Sequence, residues 1–236
     1  MSGNILGRGA WAPGDPMTLQ PLADLSPAEW LLRDDASPQL LAQLGPSGFA
    51  SYVRVLHEDI GGTRDEGHLS DTLLAALCEH LARHTTSPDD CFFGLWEGYG
   101  QIHGGEAVGF LSRFSGPPVW PGRIFGREKP PPPEPPAFPA GVMAGPLLRL
   151  HDLDHFLFAG SIRDAGQWGA ATYRSGAPRD INSPNLMWPA DHAWFVTTNI
   201  DQHWTGVAGS EALIDDLLRD DRLEVVRQRY DEGALR

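Results

Sequence analysis

The chain has 236 residues, two cysteines and a formal net charge of −13. Its length predicts one large domain that buries a core without help from disulfides or metal. The acidic balance argues against nucleic acid and anionic membrane surfaces, which are bound through Lys and Arg, and it fits a basic partner.

Residues 1–25 read as an irregular arm, broken by Pro13, Pro16 and Pro21. The opening MSGNILGRGAWAPGDP has no basic stretch leading into an apolar run. No window approaches the roughly 20 apolar residues of a membrane helix, so the expected location is cytoplasmic. Ser26, Pro27 and Glu29 predict a short helix over 27–33, and a second short turn over 38–44 ends at Gly45. FASYVRVLH (49–57) alternates as a strand does, with Tyr52, Arg54 and Leu56 opposed to Ser51, Val53, Val55 and His57. The polar loop EDIGGTRDEGH follows. Ser70 caps the clearest helix, 70–84. Its apolar stripe is Leu73, Leu74, Leu77, Cys78 and Leu81, which makes Cys78 a buried thiol, and His80, Arg83 and His84 stand at its C-terminal end. CFFGLWEGYG predicts a strand over about 91–97, stopped by Gly98 and Gly100.

Residues 115–140, SGPPVWPGRIFGREKPPPPEPPAFPA, lack too many backbone donors for a helix or central strand and read as a proline-rich loop or connector. Arg127, Pro130 and Pro133 spell RxxPxxP, a spacing that SH3-type domains bind, although a plain surface loop is the better account. The sole lysine, Lys129, precedes four prolines. This excludes a Gly-Lys-Ser/Thr phosphate loop and leaves no lysine for Schiff-base chemistry in a dry pocket. Further strands are expected at 146–151, 154–162, 192–199 and 204–208. A helix capped by Ser210 follows over 211–219, then a last strand over 223–229. The whole predicts a single α+β domain: a mainly antiparallel sheet with a few helices on one face and long Pro/Gly-rich loops.

Three clusters could carry chemistry. In PNLMWPADHAWFVTTNIDQHWTG (184–206), Trp194 and Val196 face opposite to Ala193, Phe195 and Thr197, and Asn199 to Gln202 form the turn of a hairpin. Its tryptophans read first as core. The functional alternative places Trp188, Asp191 and Trp204, with Trp96 and Tyr99 of GLWEGYG, around a ligand at the strand ends. Glu97, Asp201 and His203 would then be the catalytic candidates, as acid–base groups in an aromatic-lined pocket. HDLDH places His151 and His155 four residues apart, too far to share a metal on a strand, and EHLARH places His80 and His84 one helical turn apart. These four histidines are weak metal candidates. Both clusters have plain structural explanations, as a polar turn and as a helix C-terminus. No GxSxG elbow or GxGxxG loop occurs, and no cofactor is implied.

The stretches 84–100 and 183–218 together resemble a group of uncharacterised actinobacterial proteins, whose segments run HTTxPxxCxFxLWEGxG and SPNxWWPxDxAWFVxT. This chain departs from them at Met187, His192 and Ala208. The resemblance covers about a quarter of the chain. It implies one α+β unit of bacterial, cytoplasmic origin, and no activity. The acidic charge, the aromatic-rich loops and the absent catalytic signature instead lead to the expectation of a non-enzymatic binding module for a protein partner, of immunity or regulatory type. A small-molecule hydrolase using Glu97, Asp201 and His203 is the alternative.

Overall fold

The computed structural model describes residues 19–59, 63–105, 133–150, 152–173 and 176–230. The N-terminal arm before Leu19, the RxxPxxP residues Arg127 and Pro130, and His151 lie outside the described residues.

Nine strands make one antiparallel sheet: β1 (Gln20–Pro21), β2 (Ser51–Leu56), β3 (Cys91–Trp96), β4 (Leu148–Leu150), β5 (Leu153–Gly160), β6 (Leu186–Pro189), β7 (Phe195–Thr197), β8 (Trp204–Gly209) and β9 (Val225–Gln228). Their order is β1-β5-β3-β6-β7-β8-β2-β9, with β4 also on β5. Among the described residues the helices are α1 (Pro38–Leu44), α2 (Asp71–Arg83), α3 (Gly100–His103), α4 (Ala140–Met143) and α5 (Glu211–Leu218). No helix among the described residues is long and apolar enough to cross a membrane.

The sheet is apolar on both faces because its central strands are apolar at successive positions. Val53, Val55, Phe93, Leu95, Phe156, Phe158, Met187, Trp194, Val196 and Val207 face α2 and α5. Their neighbours Tyr52, Leu157, Leu186, Trp188, Phe195, Trp204 and Ala208 face the other way, onto α1 and residues 28–31. Helical cover therefore lies on both faces, and the expectation of one is corrected. A two-sided apolar sheet leaves water on neither face.

Each cover is tied to the sheet by a polar bond as well as by packing. Trp194 Nε1–H donates to the Leu81 carbonyl of α2 (3.0 Å), and Thr197 Oγ1–H donates to the Ala42 carbonyl of α1 (3.0 Å). On α1, the Gln43 carbonyl lies against Gly206 of β8, where any Cβ would collide with it. Hydrogen bonds from histidines of α2 to an aspartate of α5 and to one just beyond it also join the two main helices. His80 Nε2 meets Asp220 at 2.7 Å and His84 Nε2 meets Asp216 at 2.8 Å.

Local differences from the sequence reading have local causes. The region 27–33 is two 3₁₀ turns, Ser26–Ala28 and Leu31–Arg33. The Ser26 amide is held by Asp24 (2.9 Å) rather than Ser26 capping a helix. β6 was hidden by Pro184 and Pro189, which look like breaks. Pro189 is the last residue of the strand, where a missing donor costs little. In HDLDH, Leu150 pairs with Leu153 and Asp152 takes φ 64°, so the chain reverses before Leu153 rather than at Leu153–Asp154.

Gly206→Ala is expected to lower stability by about 1–3 kcal/mol, the range for overpacking a tight contact, with unchanged β2–β8 pairing. Urea unfolding followed by tryptophan fluorescence checks this.

Candidate functional site

The C-terminal ends of β2, β3 and β7 lie at one rim of the sheet with the starts of β6 and β8. Four connections meet there, through residues 57–59 with 63–69, 97–104, 179–185 and 198–203. A buried polar network holds them together.

Asn185, just before β6, is 1% exposed and uses both ends of its amide. Its Oδ1 accepts from the Trp96 amide (2.8 Å), and its Nδ2 donates to Tyr99 Oη (2.9 Å) and to the Thr198 carbonyl (3.1 Å). The Tyr99 hydroxyl donates in turn to the Gly67 carbonyl (3.2 Å), and the Gly67 amide donates to the Gln202 carbonyl (2.9 Å). Gly67 has φ 64°, and a Cβ there would lie 2.6 Å from the Ile200 carbonyl oxygen, so only glycine allows this approach. Burial raises the Tyr99 phenol above its usual range, with the Asn185 contact opposing.

His57, at the end of β2, is 1% exposed. A carbonyl can only accept, so its contact with Asp65 O (2.8 Å) fixes the proton on Nδ1. Nε2 then accepts from Thr205 Oγ1 (3.0 Å), which is in turn bonded to Thr198 Oγ1 (2.8 Å). Burial holds this imidazole below its ordinary pKa. His68 has the opposite tautomer: Nδ1 accepts the Ser183 amide (3.0 Å), leaving the proton on Nε2. The Ser183 hydroxyl in turn accepts from the Leu69 amide (2.9 Å).

A cleft of about 200 Å³ opens beside this network, lined by Asp65, Glu66, His68, Gln101, Asp180 and Asn182. Nearby cations are already engaged. Arg64 bonds the His57 carbonyl and Glu224, both at 2.7 Å, and Arg179 bonds the carbonyls of Ala171, Gln101 and Pro135. Glu66 approaches His203 at 3.4 Å. Among the described residues the carboxylates of Asp65 and Asp180 make no hydrogen bond or ion pair.

The residues singled out from sequence distribute unevenly. Tyr99 belongs to the rim network, and Trp96 stands edge-on to it at 5.0 Å. Glu97 pairs with His103 (3.0 Å), and His203 donates to the Arg64 carbonyl (3.0 Å). The Asp201 amide donates to Asn199 (2.9 Å). Among the described residues no hydrogen bond or ion pair joins any two of Glu97, Asp201 and His203. Trp188 and Trp204 are 0% and 8% exposed and belong to the core on the α1 face. Trp188 packs against Phe195 at 6.0 Å, and Arg54 sits over the Trp204 ring at 5.2 Å.

Asp191 serves as a loop clamp. It accepts from the Thr85 hydroxyl (2.8 Å), the Thr86 amide and hydroxyl (both 2.7 Å) and the Ala193 amide (3.1 Å). These donors hold its carboxyl down to about 2 against the opposing effect of burial. His80 and His84 each bond an aspartate, Asp220 and Asp216, and Arg83 donates to His80 Nδ1 (2.7 Å). His155 is 3% exposed, within the β4–β5 pairing. Among the described residues no three His, Cys, Asp or Glu side chains are placed to hold a metal ion.

Sequence reasoning passed over His57, His68, Asn182, Ser183, Asn185, Thr198 and Thr205. Ser183 and Asn185 stand in the SPN triplet that carries the resemblance, and this was the available signal. A second cleft of about 330 Å³ lies elsewhere, where Trp30, Phe49 and His192 stand beside the start of α5. No family model, curated protein or solved structure matches the chain.

Asp191→Asn is expected to lower the midpoint of thermal unfolding at pH 7. A carboxyl depressed in the folded state stabilises above its unfolded pKa of about 3.9 and loses that contribution as pH falls. The gap between wild type and variant should therefore close between about pH 4 and pH 2, as differential scanning calorimetry would show.

Proposed function

We propose that this protein is a non-enzymatic binding module that receives a cationic side chain of a protein partner in the rim cleft. One observation carries the reading: the carboxylates of Asp65 and Asp180 line the cleft and make no hydrogen bond or ion pair among the described residues. Gln101 and Asn182 add amide acceptors, and the His68 Nε2–H is a donor. A guanidinium suits this lining, because its planar fork of donors matches carboxylate and amide oxygens. A cleft of about 200 Å³ admits one such side chain rather than a large ligand. The net charge of −13 supports the same direction, since it steers basic partners toward the protein. A cytoplasmic regulatory or immunity role is consistent with this chemistry.

The hydrolase reading draws on one specific feature. The Tyr99–Gly67–Gln202 chain brings the turns carrying Glu97 and Asp201 to the same rim. It requires Glu97 and His203 to leave His103 and Glu66, with which they are paired.

Isothermal titration with an arginine-rich peptide at low salt, against a glutamate-rich control, separates the two. The binding reading expects uptake of the basic peptide only. Joint Asp65→Asn and Asp180→Asn substitution should weaken it roughly tenfold, equivalent to about 1.4 kcal/mol, and Glu97→Gln should leave it unchanged. Equal binding by the double variant would overturn the reading. Turnover of a simple ester, lost in Glu97→Gln, would favour the hydrolase instead.

A further inference from the structure

The two ends of the sheet are finished differently. At one end the outermost position is divided between two short strands, β4 and β1, and β1 carries Pro21, which lacks a backbone donor. At the other end stands β9, a strand of four residues without proline, paired with β2 on one side.

The direction of the β9 backbone groups follows from its register. Successive residues of an antiparallel strand turn their amide and carbonyl to opposite sides. The Leu56 amide donates to the Glu224 carbonyl (2.8 Å), and the next amide, His57, donates to the His203 carbonyl (2.9 Å). Leu56 is thus directed toward β9 and His57 toward β8. Arg54 and Tyr52 share the phase of Leu56, so their partners Val226 and Gln228 bond to β2, and Val225 and Arg227 turn their amides and carbonyls outward. This outward stretch is bounded. The Leu223 amide before it donates to the Asp220 carbonyl (3.0 Å), and the Arg229 carbonyl beyond it accepts from the Gln228 side-chain amide (3.4 Å). Among the described residues no hydrogen bond reaches the outward backbone groups of Val225 and Arg227. Two donors and two acceptors at strand spacing are what an added strand pairs with.

The side chains say what that strand carries. Val226, between the two outward residues, is 40% exposed. Because its own amide faces β2, an added strand meets it at a non-hydrogen-bonded position, where opposed side chains lie closest. An apolar residue belongs opposite it. Glu224, on the same face of β9, stays exposed although it bonds Arg64. On the other face the exposed carboxylates Glu211 and Asp215 of α5 both hold Arg227, so its charge is already matched. The net charge then separates the occupants. A second copy brings the same −13 and is repelled, whereas a cationic segment is attracted.

We propose that the β9 edge takes up an extended basic segment of a protein partner as a further strand, with an apolar residue opposite Val226 and a cationic one opposite Glu224. The Arg64–Glu224 bond ties the start of β9 to the residue before Asp65 of the rim cleft. In assigning the segment to the partner whose cation enters that cleft, the proposal rests on the cleft reading. The strand addition itself does not.

The test is amide hydrogen exchange of the full chain, read by NMR, with a capped peptide repeating Arg-Thr-Val-Thr as the probe. Without peptide the Val226 and Gln228 amides are expected to be protected and those of Val225 and Arg227 open. With peptide, exchange at Val225 and Arg227 should slow by about tenfold or more, with little change at Val226. A peptide of the same sequence methylated at its backbone amides keeps the charge without the donors and should give no protection, nor should a Glu-Thr-Val-Thr repeat. Val225→Pro removes an outward donor and leaves the bonds from Val226 and Gln228 to β2, so it should weaken the effect. If that variant disturbs β9, the methylated peptide makes the same test on the unaltered protein. Equal protection by the methylated or acidic peptide overturns the proposal. So does protection of Val225 and Arg227 without peptide: if it fades on dilution the edge belongs to a second copy, and if it persists the chain itself closes the edge. Peptide binding that is lost in the joint Asp65→Asn and Asp180→Asn variant and never protects β9 would leave the cleft reading intact and defeat this one. Protection of β9 at full affinity in that variant would do the reverse.

Discussion

The fold depends on a sheet whose central strands are apolar at consecutive positions. β6 and β7 show it best: Leu186, Met187 and Trp188, and then Trp194, just before β7, with Phe195 and Val196, are all buried while pointing alternately to the two faces. Such strands stay dry only if something covers each face. The α2–α5 pair covers one, and α1 with the flanking 3₁₀ turns covers the other. The close approach of α1 explains Gly206, and the buried seam between α2 and the sheet explains why Trp194 needs the Leu81 carbonyl. Burial of the large aromatics supplies most of the driving force, and these few polar contacts select the geometry.

Much of this was legible in the sequence. The period-2 pattern of 49–57 gave β2, and the serine caps at Ser70 and Ser210 gave the starts of α2 and α5 to within a residue. The opposition of Trp194 to Phe195 was legible for the same reason, since a strand leaves no freedom in side-chain direction. Position in the sheet was not. β6 alternates no differently from a loop rich in tryptophan and proline, and its place between β3 and β7 is set by long-range pairing that no local pattern encodes. The short elements at 27–33 and 38–44 were legible, but their place on a second face was not, because α1 has seven residues and the turns before it are 3₁₀, too short to declare an apolar stripe.

The rim was less legible than the core, for a physical reason. Charged and aromatic residues attract attention in a sequence, yet Trp188 and Trp204 fill the core, and Asp191 spends its oxygens on a neighbouring loop. The groups that organise the rim are neutral ones, Asn185, Ser183, Thr198 and Thr205. Their role is to satisfy backbone donors and acceptors where four connections are buried together. An asparagine at such a point gains its importance from its partners, which lie up to 89 residues away in the chain.

The histidines illustrate how environment, not residue type, decides a role. On the α2–α5 surface His80 and His84 each bond an aspartate, so the imidazoles join helices through carboxylates and are drawn into structure. At the rim His57 and His68 bond only hydroxyls, a carbonyl and an amide, which distinguish one ring nitrogen from the other and leave an added proton unmatched. The same side chain is thus a fastening on one face of the molecule. At the rim the buried His57 instead meets a hydroxyl and the Asp65 carbonyl, in the segment that carries carboxylates of the cleft.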